Sequence, residues 1–432
     1  MVTRLKSSSN KTPGMLALLK DKNFSLLFAG NFVSRIGTTF YNFAVGWFIL
    51  TLTESPLMMG LYIALGGIVE LLASPLAGVF IDRLNKVRIL YVTDFIRGLT
   101  VLAGGALILG LQSEPQLLFL LYAVTVVLAL NNALFFPANA TLIPEIVDDR
   151  QLTQANAFFS LINSVQTIIG ILLAGLLYGL LGIEMIFIIN GISFILSAIS
   201  EMFIRTPYTK PPAEEKTTLQ HDFKVGVRYI LDKPGLLPFV TAVLFLNFAF
   251  APFFANAIPY LYNLALNQEA LQLAIANITF SSGMVIGGIL VGTLGVKITV
   301  ANSMKRGLTL TIFMGFWLSA IMVLGSGAHV SYTLFTAIFL PSLFILAISN
   351  MFVNIPFGTG LARAIQPEVR GRVFSIVNTL TAGLIPVSYL LAGLILEYSN
   401  LGLLLMAICL LSVVPLMTIL YSPTVNRLLS SL

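Results

Sequence analysis

Long apolar runs alternate with short polar stretches along almost the whole chain, from Phe24 to Tyr421. Each run is about 20 residues long, which is what an α-helix needs to cross the roughly 30 Å core of a bilayer. The runs lack the alternation of polar and apolar positions that marks a transmembrane strand, so helices are favoured. About twelve membrane-spanning helices are predicted, at residues 24–50, 56–81, 89–111, 117–137, 158–180, 183–204, 237–262, 270–293, 307–327, 332–356, 373–396 and 401–421.

The longest hydrophilic stretch, from Arg205 to Lys233, divides these predicted helices six and six. Within it, residues 218–231 are predicted to form an amphipathic surface helix, because apolar residues recur there at helical spacing. The sequence therefore predicts an all-α polytopic membrane protein with five parts: a tail at 1–23, a six-helix bundle at 24–204, a linker at 205–236, a second bundle at 237–421 and a tail at 422–432.

The two halves also resemble each other in sequence. The segment FSLINS at 159–164 matches FSIVNT at 374–379, about half a chain later, and each follows a Pro-Glu pair. One short match can arise by chance, but its agreement with the hydropathy symmetry supports a parallel duplication. Duplicated halves that rock about a midplane site are typical of secondary transporters.

Charge indicates the orientation of the chain. It is 57% hydrophobic and only 10% charged, with a net charge of +6, whereas a soluble domain is roughly a quarter charged. Every Lys and Arg except Arg35 and Arg97 falls in a tail or an even-numbered loop. The positive-inside rule then predicts that both termini are cytoplasmic. No soluble basic module is present to bind nucleic acid.

The chain lacks the motifs of several other protein classes. It has no G-x-x-x-x-G-K-[ST] loop, so an ion gradient is the expected energy source, protons most simply, with sodium as the alternative. An intramembrane enzyme would need clustered catalytic groups, yet His221 and His329 fall in predicted loops and Cys409 is the single cysteine. We expect no metal, cofactor or enzymatic activity. A non-transporting receptor or scaffold remains an alternative.

Three segments carry a family resemblance. The loop GVFIDRLNKVR, from Gly78 to Arg88, resembles the signature loop of the major facilitator superfamily, with Asn85 in place of a usual Gly and Val87 in place of a basic residue. The stretches FPANATLIPEIVDDRQLTQANA at 136–157 and PEVRGRV at 367–373 are similar to the macrolide-efflux branch. The resemblance implies the major facilitator fold, alternating access and export of lipophilic compounds across a bacterial inner membrane.

The signature loop is predicted to act as a conformational gate. Gly78 lacks a side chain, so the end of the second helix can approach a neighbour, and Asp82 can then meet the positive N-terminus of another helix. The resemblance implies that this neighbour is the eleventh helix, near Val373. The predicted gate residues are Gly78, Asp82, Arg83, Lys86 and Arg372. The basic residues have an alternative role as topology determinants.

A carboxylate inside the second predicted helix is the candidate for proton coupling. Glu70 lies roughly 18 Å along the helix from Asp82, at bilayer depth, where a charge is costly and usually functional. Arg35 of the first helix is its predicted partner, since it sits at similar depth. Movement of one against the other would let Glu70 bind and release a proton. The alternatives are a static ion pair and a Glu70 that stays protonated.

The substrate cavity is expected to be lined by neutral polar and aromatic residues. Polar positions recur at helical spacing along the first helix, and aromatic residues are frequent in the seventh, which suits a bulky lipophilic substrate. Interhelical packing is the alternative for each of them. The predicted cavity residues are Asn31, Thr38, Asn42, Asn163, Gln166, Phe245, Asn247, Phe248 and Asn378. Asp94 and Arg97, three residues apart, are interpreted as a local ion pair.

Two positions depart from the pattern of antiporters in the resembled superfamily. Gly170-Ile171 stands where many have Gly-Pro in the fifth helix, and Leu128 stands where many have Arg in the fourth. Export and proton coupling therefore depend mainly on the branch resemblance. We predict a monomeric, proton-coupled exporter of lipophilic, drug-like or macrolide-like compounds, surrounded by membrane lipid. The alternative substrate is a physiological metabolite, a siderophore or a lipid.

Overall fold

The computed structural model describes residues 15–81, 84–148, 151–206, 219–294, 299–327, 330–366 and 369–430, and these residues contain helices and no strand. A short 3₁₀ helix (Met15–Lys20) precedes them. The helices are α1 (Lys22–Thr53), α2 (Pro56–Ile81), α3 (Lys86–Ile108), α4 (Glu114–Ile146), α5 (Leu152–Met202), α6 (Leu219–Asp232), α7 (Leu236–Ala265), α8 (Ala270–Leu294), α9 (Val300–Ser326), α10 (Tyr332–Ala364), α11 (Arg370–Gly383), α12 (Ile385–Tyr398), α13 (Leu401–Tyr421) and α14 (Pro423–Ser430).

Side-chain caps fix where several of these helices begin. Asp21 accepts a hydrogen bond from the amide of Phe24 at 2.9 Å, and Asn400 does the same for Leu403 at 2.9 Å. Asn85 caps α3 by accepting from the Arg88 amide at 3.1 Å. Each cap satisfies an amide that would otherwise lack a partner in the first turn. The residue that departs from the resembled signature loop at position 85 thus has a local structural role.

Helix α5 contains two membrane crossings. Its 51 residues are interrupted at Gly182, which has φ 74° and ψ 175°. The Gln166 amide before this point donates to the Asn31 carbonyl, and Ser197 after it packs against Gly30. Both arms therefore lie against the same turn of α1, so the chain reverses at Gly182. The eleven span-length helices found in the described ranges thus contain twelve crossings, with α11 and α12 counted together, as the sequence predicts.

The loops lie on two opposite faces of the bundle. The odd-loop face carries the described turn residues 54–55, 109–113, 182, 266–269, 327, 330–331 and 399–400, and the basic face carries the remaining described turns. On the basic face, one buried apolar cluster contains only first-half residues, whereas the cluster of the second half includes Trp47 near the odd-loop end of α1. In the part of the chain that is described, the halves therefore share apolar core near the odd-loop face.

The linker contains the expected helix, α6, which lies against α11 and α7. Ile230 is 2% exposed, and with Val227 it packs into the apolar core of the second half. The Gln366 amide donates to the Tyr229 hydroxyl at 3.3 Å. This part of the apolar face of α6 therefore packs against the protein. The sequence analysis predicts instead that this face lies on the membrane surface. The side chains of residues 219–223 lie outside the description.

Candidate functional site

The two halves meet in close helix-to-helix contacts near the odd-loop face. A Cβ at Gly60 of α2 would lie 2.7 Å from the Tyr389 carbonyl oxygen of α12. A Cβ at Gly175 of α5 would lie 2.3 Å from the Cβ of Ala274 in α8. Any larger side chain at these two positions would push the helices apart, because the neighbouring atoms are backbone or a packed methyl group.

Polar contacts join the halves at the outer rim of this face. Glu397, at the end of α12, accepts from the Ser55 hydroxyl at 2.7 Å and from the Leu57 amide at 3.4 Å. We call these two bonds the rim latch; they place a carboxylate at the N-terminus of α2, where the helix dipole favours it. The Asn263 amide of α7 also donates to Thr51 of α1 at 2.8 Å.

A cavity of about 410 Å³ lies in the first half, between α1, α2 and α4. The half-buried carboxyl of Glu70 faces it, and Asn42 is exposed at its wall. Both are predicted site residues. Tyr62, Thr125 and Asn132 also line the cavity and are absent from the prediction, since a hydroxyl or amide within an apolar run does not show which neighbour it meets. The lining is Tyr41, Asn42, Phe43, Tyr62, Ile63, Gly66, Gly67, Glu70, Thr125, Leu128, Ala129 and Asn132.

The predicted ion pair between Arg35 and Glu70 is not formed in the described structure. The Arg35 guanidinium instead donates to the Asn163 side-chain oxygen of α5 at 3.1 Å. It also lies 5.4 Å from the centre of the Phe136 ring of α4. The Arg35 guanidinium thus interacts with an amide oxygen and an aromatic ring. Glu70 has no ion-pair partner among the described residues. Arg35 and Asn163, both predicted site residues, are brought together.

Two predicted cavity residues are buried between helices. Asn31 is 1% exposed and exchanges hydrogen bonds with Asn139 of α4, at 3.3 and 3.2 Å. Gln166 is 3% exposed and bonds the Asn31 carbonyl. The prediction that these two residues line the cavity is wrong for this conformation, because both are buried between α1, α4 and α5 and neither belongs to the cavity lining.

The predicted residues of the second half lie around α7 and α11. Asn247 donates to the Thr381 carbonyl of α11 at 3.1 Å. Phe245 and Phe248 are partly exposed, and Asn378 is exposed. The backbone of α7 contains two π-helical stretches, Phe253–Ala257 and Leu261–Ala265, a feature frequent at functional sites. Thr38, on the facing α1, is also partly exposed and bonds its own backbone at Ser34.

Most of the predicted gate falls outside the described residues. Asp82 and Arg83 are not described, and neither is the side chain of Arg372, which lies in the first turn of α11. Gly78 lies near the end of α2. Lys86 forms an ion pair with Glu145 and bonds the Thr141 carbonyl, both on α4. The gate therefore stays a prediction.

Two polytopic halves in close contact, with a cavity in the first half that contains a carboxylate from the middle of an apolar helix, are typical of a carrier-type membrane protein. The profile of the Major Facilitator Superfamily matches residues 27–388. The chain belongs to this superfamily.

Three similar proteins fit this assignment. Macrolide efflux protein A of Streptococcus pyogenes is 24% identical over 379 residues, which cover 86% of this chain and 88% of that protein. The Staphyloferrin A transporter of Staphylococcus aureus is 23% identical over 370 residues, covering 85% and 86%. The crystal structure of a bacterial homologue of the iron transporter ferroportin in the inward-facing state has a TM-score of 0.73 at 16% identity, covering 93% of this chain and 99% of that one.

Proposed function

We propose that the protein is a secondary active exporter that exchanges a lipophilic, drug-like or macrolide-like compound for protons by alternating access. The observation that carries the coupling is Glu70, a carboxylate at membrane depth that faces a cavity and has no ion-pair partner among the described residues. Such a group can change its protonation state without breaking a structural ion pair. The similarity to macrolide efflux protein A supports the direction of transport and the substrate class.

The proposed cycle moves the cavity between the two sides of the membrane. We assign the basic face to the cytoplasm, as the positive-inside rule predicts, so the rim latch and the α2–α12 and α5–α8 contacts close the external side. Substrate enters this inward-facing form as Glu70 releases its proton inward. Opening the odd-loop face then exposes the cavity outside, where Glu70 binds a proton and substrate leaves. Both termini are cytoplasmic and the working unit is a monomer in this proposal.

The proposed substrate class follows from the lining of the cavity beside Glu70. Apart from that carboxyl, the lining residues are neutral and include amides, hydroxyls and aromatic rings, among them Asn42, Tyr62 and Phe43. Aromatic surfaces bury large apolar areas and a few amides fix orientation. A phosphorylated or multiply charged compound would lose more hydration than these groups replace.

A siderophore or another physiological metabolite is the second candidate. The similarity to the Staphyloferrin A transporter favours it, and Ile171 in place of the Pro that many antiporters have leaves it open. Both candidates use the same fold and cavity, so a substrate panel separates them.

The direct test is accumulation of labelled erythromycin and of a lipophilic cation dye in efflux-deficient bacteria, with and without a protonophore. We expect the intact protein to lower accumulation, the protonophore to restore it, and Glu70→Gln to abolish gradient-driven flux while substrate exchange persists. Glu114→Gln, which removes an exposed carboxylate on the odd-loop face, is the matched control and should behave as the intact protein. Gradient-driven flux by Glu70→Gln would contradict the coupling role, and failure of both compounds would favour the siderophore or metabolite class.

A further inference from the structure

A second group of charged side chains is buried within the first half, apart from the Glu70 carboxyl. Asp94 and Arg97 lie one turn apart on α3, with 2.6 Å between Asp94 Oδ1 and Arg97 Nη2. Glu201, in the second arm of α5, interacts electrostatically with both. The three residues are 0%, 2% and 0% exposed. We call Asp94, Arg97 and Glu201 the buried triad.

The guanidinium of the buried triad is held from several sides. It lies 4.0 Å from the ring centre of Phe135 and 4.9 Å from that of Phe194. Its Nη1 also donates to the side-chain oxygen of Asn132 at 3.3 Å. Arg97 therefore cannot move towards Glu201 without losing contacts to α4 and to its own ion pair with Asp94.

Glu201 is the member that lacks an ion-pair partner among the described residues. Neither of its carboxyl oxygens receives a hydrogen bond of normal geometry from the described residues, and no ion pair within 4.0 Å reaches it there. The Ser197 hydroxyl lies beside both carboxyls. If both carboxyls were ionised, the site would hold two negative charges against one positive charge away from water, and an uncompensated buried charge is strongly unfavourable.

We propose that the buried triad is a proton-binding site that holds one proton on its carboxyl pair, with Glu201 as the protonated member. One bound proton makes the site neutral, with Asp94 ionised against Arg97 and Glu201 as a neutral acid. We assign the proton to the pair, because the two carboxyls interact electrostatically and interacting acids titrate together. This proton is additional to the one proposed for Glu70.

Among the residues that the structure describes, one further charge acts on the buried triad. Arg35 of α1 interacts electrostatically with Arg97, while α4 contributes the neutral Asn132 and Phe135. The second arm of α5 contributes the neutral Ser197 and Phe194 besides Glu201. Asn132 also lines the Glu70 cavity, so it is a polar connection between the buried triad and that cavity.

Infrared spectroscopy of the purified protein tests the site without any transport assay. The carbonyl stretch of a protonated carboxyl is separate from that of a carboxylate, and ¹³C-labelled glutamate distinguishes Glu from Asp. In a Glu70→Gln background at neutral pH we expect one glutamic-acid band, which Glu201→Gln removes. Glu114→Gln, at an exposed site, should leave the band unchanged. Absence of the band, or its survival in Glu201→Gln, would overturn the proposal.

Thermal unfolding across pH gives a second, independent readout. The folded protein holds a proton that a glutamate in the unfolded chain loses above about pH 4.3, so stability should fall as pH rises above that value. Glu201→Gln, which resembles the neutral acid in shape, should keep the melting temperature of the intact protein at low pH and have a smaller slope with pH. An equal slope in both proteins would contradict a bound proton. Neither readout requires flux, so failure of the exporter proposal would leave this one standing.

Discussion

At the scale of single residues, the sequence indicates how deep a side chain lies along a helix but not which neighbour it meets. Glu70 is predicted as a coupling residue because a carboxylate in the middle of an apolar run is costly, and in the structure it faces a cavity. Asn31 was predicted to line the cavity because it shares a stripe with Arg35, yet it pairs with Asn139. A helical stripe shows which residues share a side of α1 but not which neighbour they meet. Glu201 was missed because it lies near the predicted end of its helix.

The Asn31–Asn139 pair should contribute to stability rather than to substrate binding. Asn139→Ala leaves the buried Asn31 amide with an unsatisfied group, at a cost of about 1–3 kcal/mol. We expect a lower melting temperature in detergent and unchanged substrate affinity. Replacing both residues with Leu should recover part of the loss, since no buried polar group then lacks a partner. If Asn139→Ala has normal stability and weakened substrate binding, Asn31 contributes to the substrate cavity and this prediction is wrong.

At the scale of the helices, hydropathy locates the membrane crossings but misses most irregular turns within a crossing. The predicted break between residues 180 and 183 coincides with Gly182, because each bilayer crossing limits the length of a helix. The change from α11 to α12 at Leu384 and the π-helical stretches of α7 leave each apolar run intact. Hydropathy averages over a whole crossing, so it cannot detect an irregular turn within one.

The reversal at Gly182 depends on a backbone conformation that glycine alone adopts easily. With φ 74° and ψ 175°, Gly182→Ala should cost about 1–3 kcal/mol. Gly179→Ala is a matched control three residues earlier, where a Cβ would have no neighbour within 4 Å. We expect thermal unfolding of the purified protein to show a clear loss for Gly182→Ala and little change for the control. Equal behaviour of the two variants would show that the turn does not depend on glycine.

The rim latch should stabilise closure of the odd-loop face. Glu397→Ala removes a charge-assisted bond to Ser55 worth about 1.5–3 kcal/mol, so the closed population should fall about tenfold or more relative to the open one. Spin labels would be attached at Leu109 and Leu334, which are exposed on that face, in a Cys409→Ser background that lacks the native thiol. Glu397→Ala should lengthen the distance between these two labels. Glu114→Ala, also on that face, is the control. An unchanged distance distribution would show that packing alone holds the face closed.

At the scale of the whole molecule, the sequence predicted two halves but not where they touch. The repeated segments at 159–164 and 374–379 lie in α5 and α11, the fifth crossing of each half. The contact between Ser55 and Glu397 joins residues 342 positions apart. No local pattern encodes such a pair, because each of these residues is an ordinary loop-end residue in its own half.

The tight approach of α5 to α8 allows the alternating cycle itself to be tested. A side chain larger than hydrogen at Gly175 meets Ala274, so Gly175→Leu should hold the odd-loop face open and stop transport while the halves stay folded.

Gln268 lines a cavity of about 350 Å³ between the halves at that face. In a Cys409→Ser background, a cysteine replacing Gln268 should react faster with a membrane-impermeant thiol reagent in Gly175→Leu than in the parent. Gly179→Ala, one turn later where a Cβ has free space, should leave both labelling and transport near the parent values. If Gly175→Leu is labelled faster but still transports, closure of this face is not required for transport. If it loses transport with unchanged labelling, the loss is not caused by opening of this face.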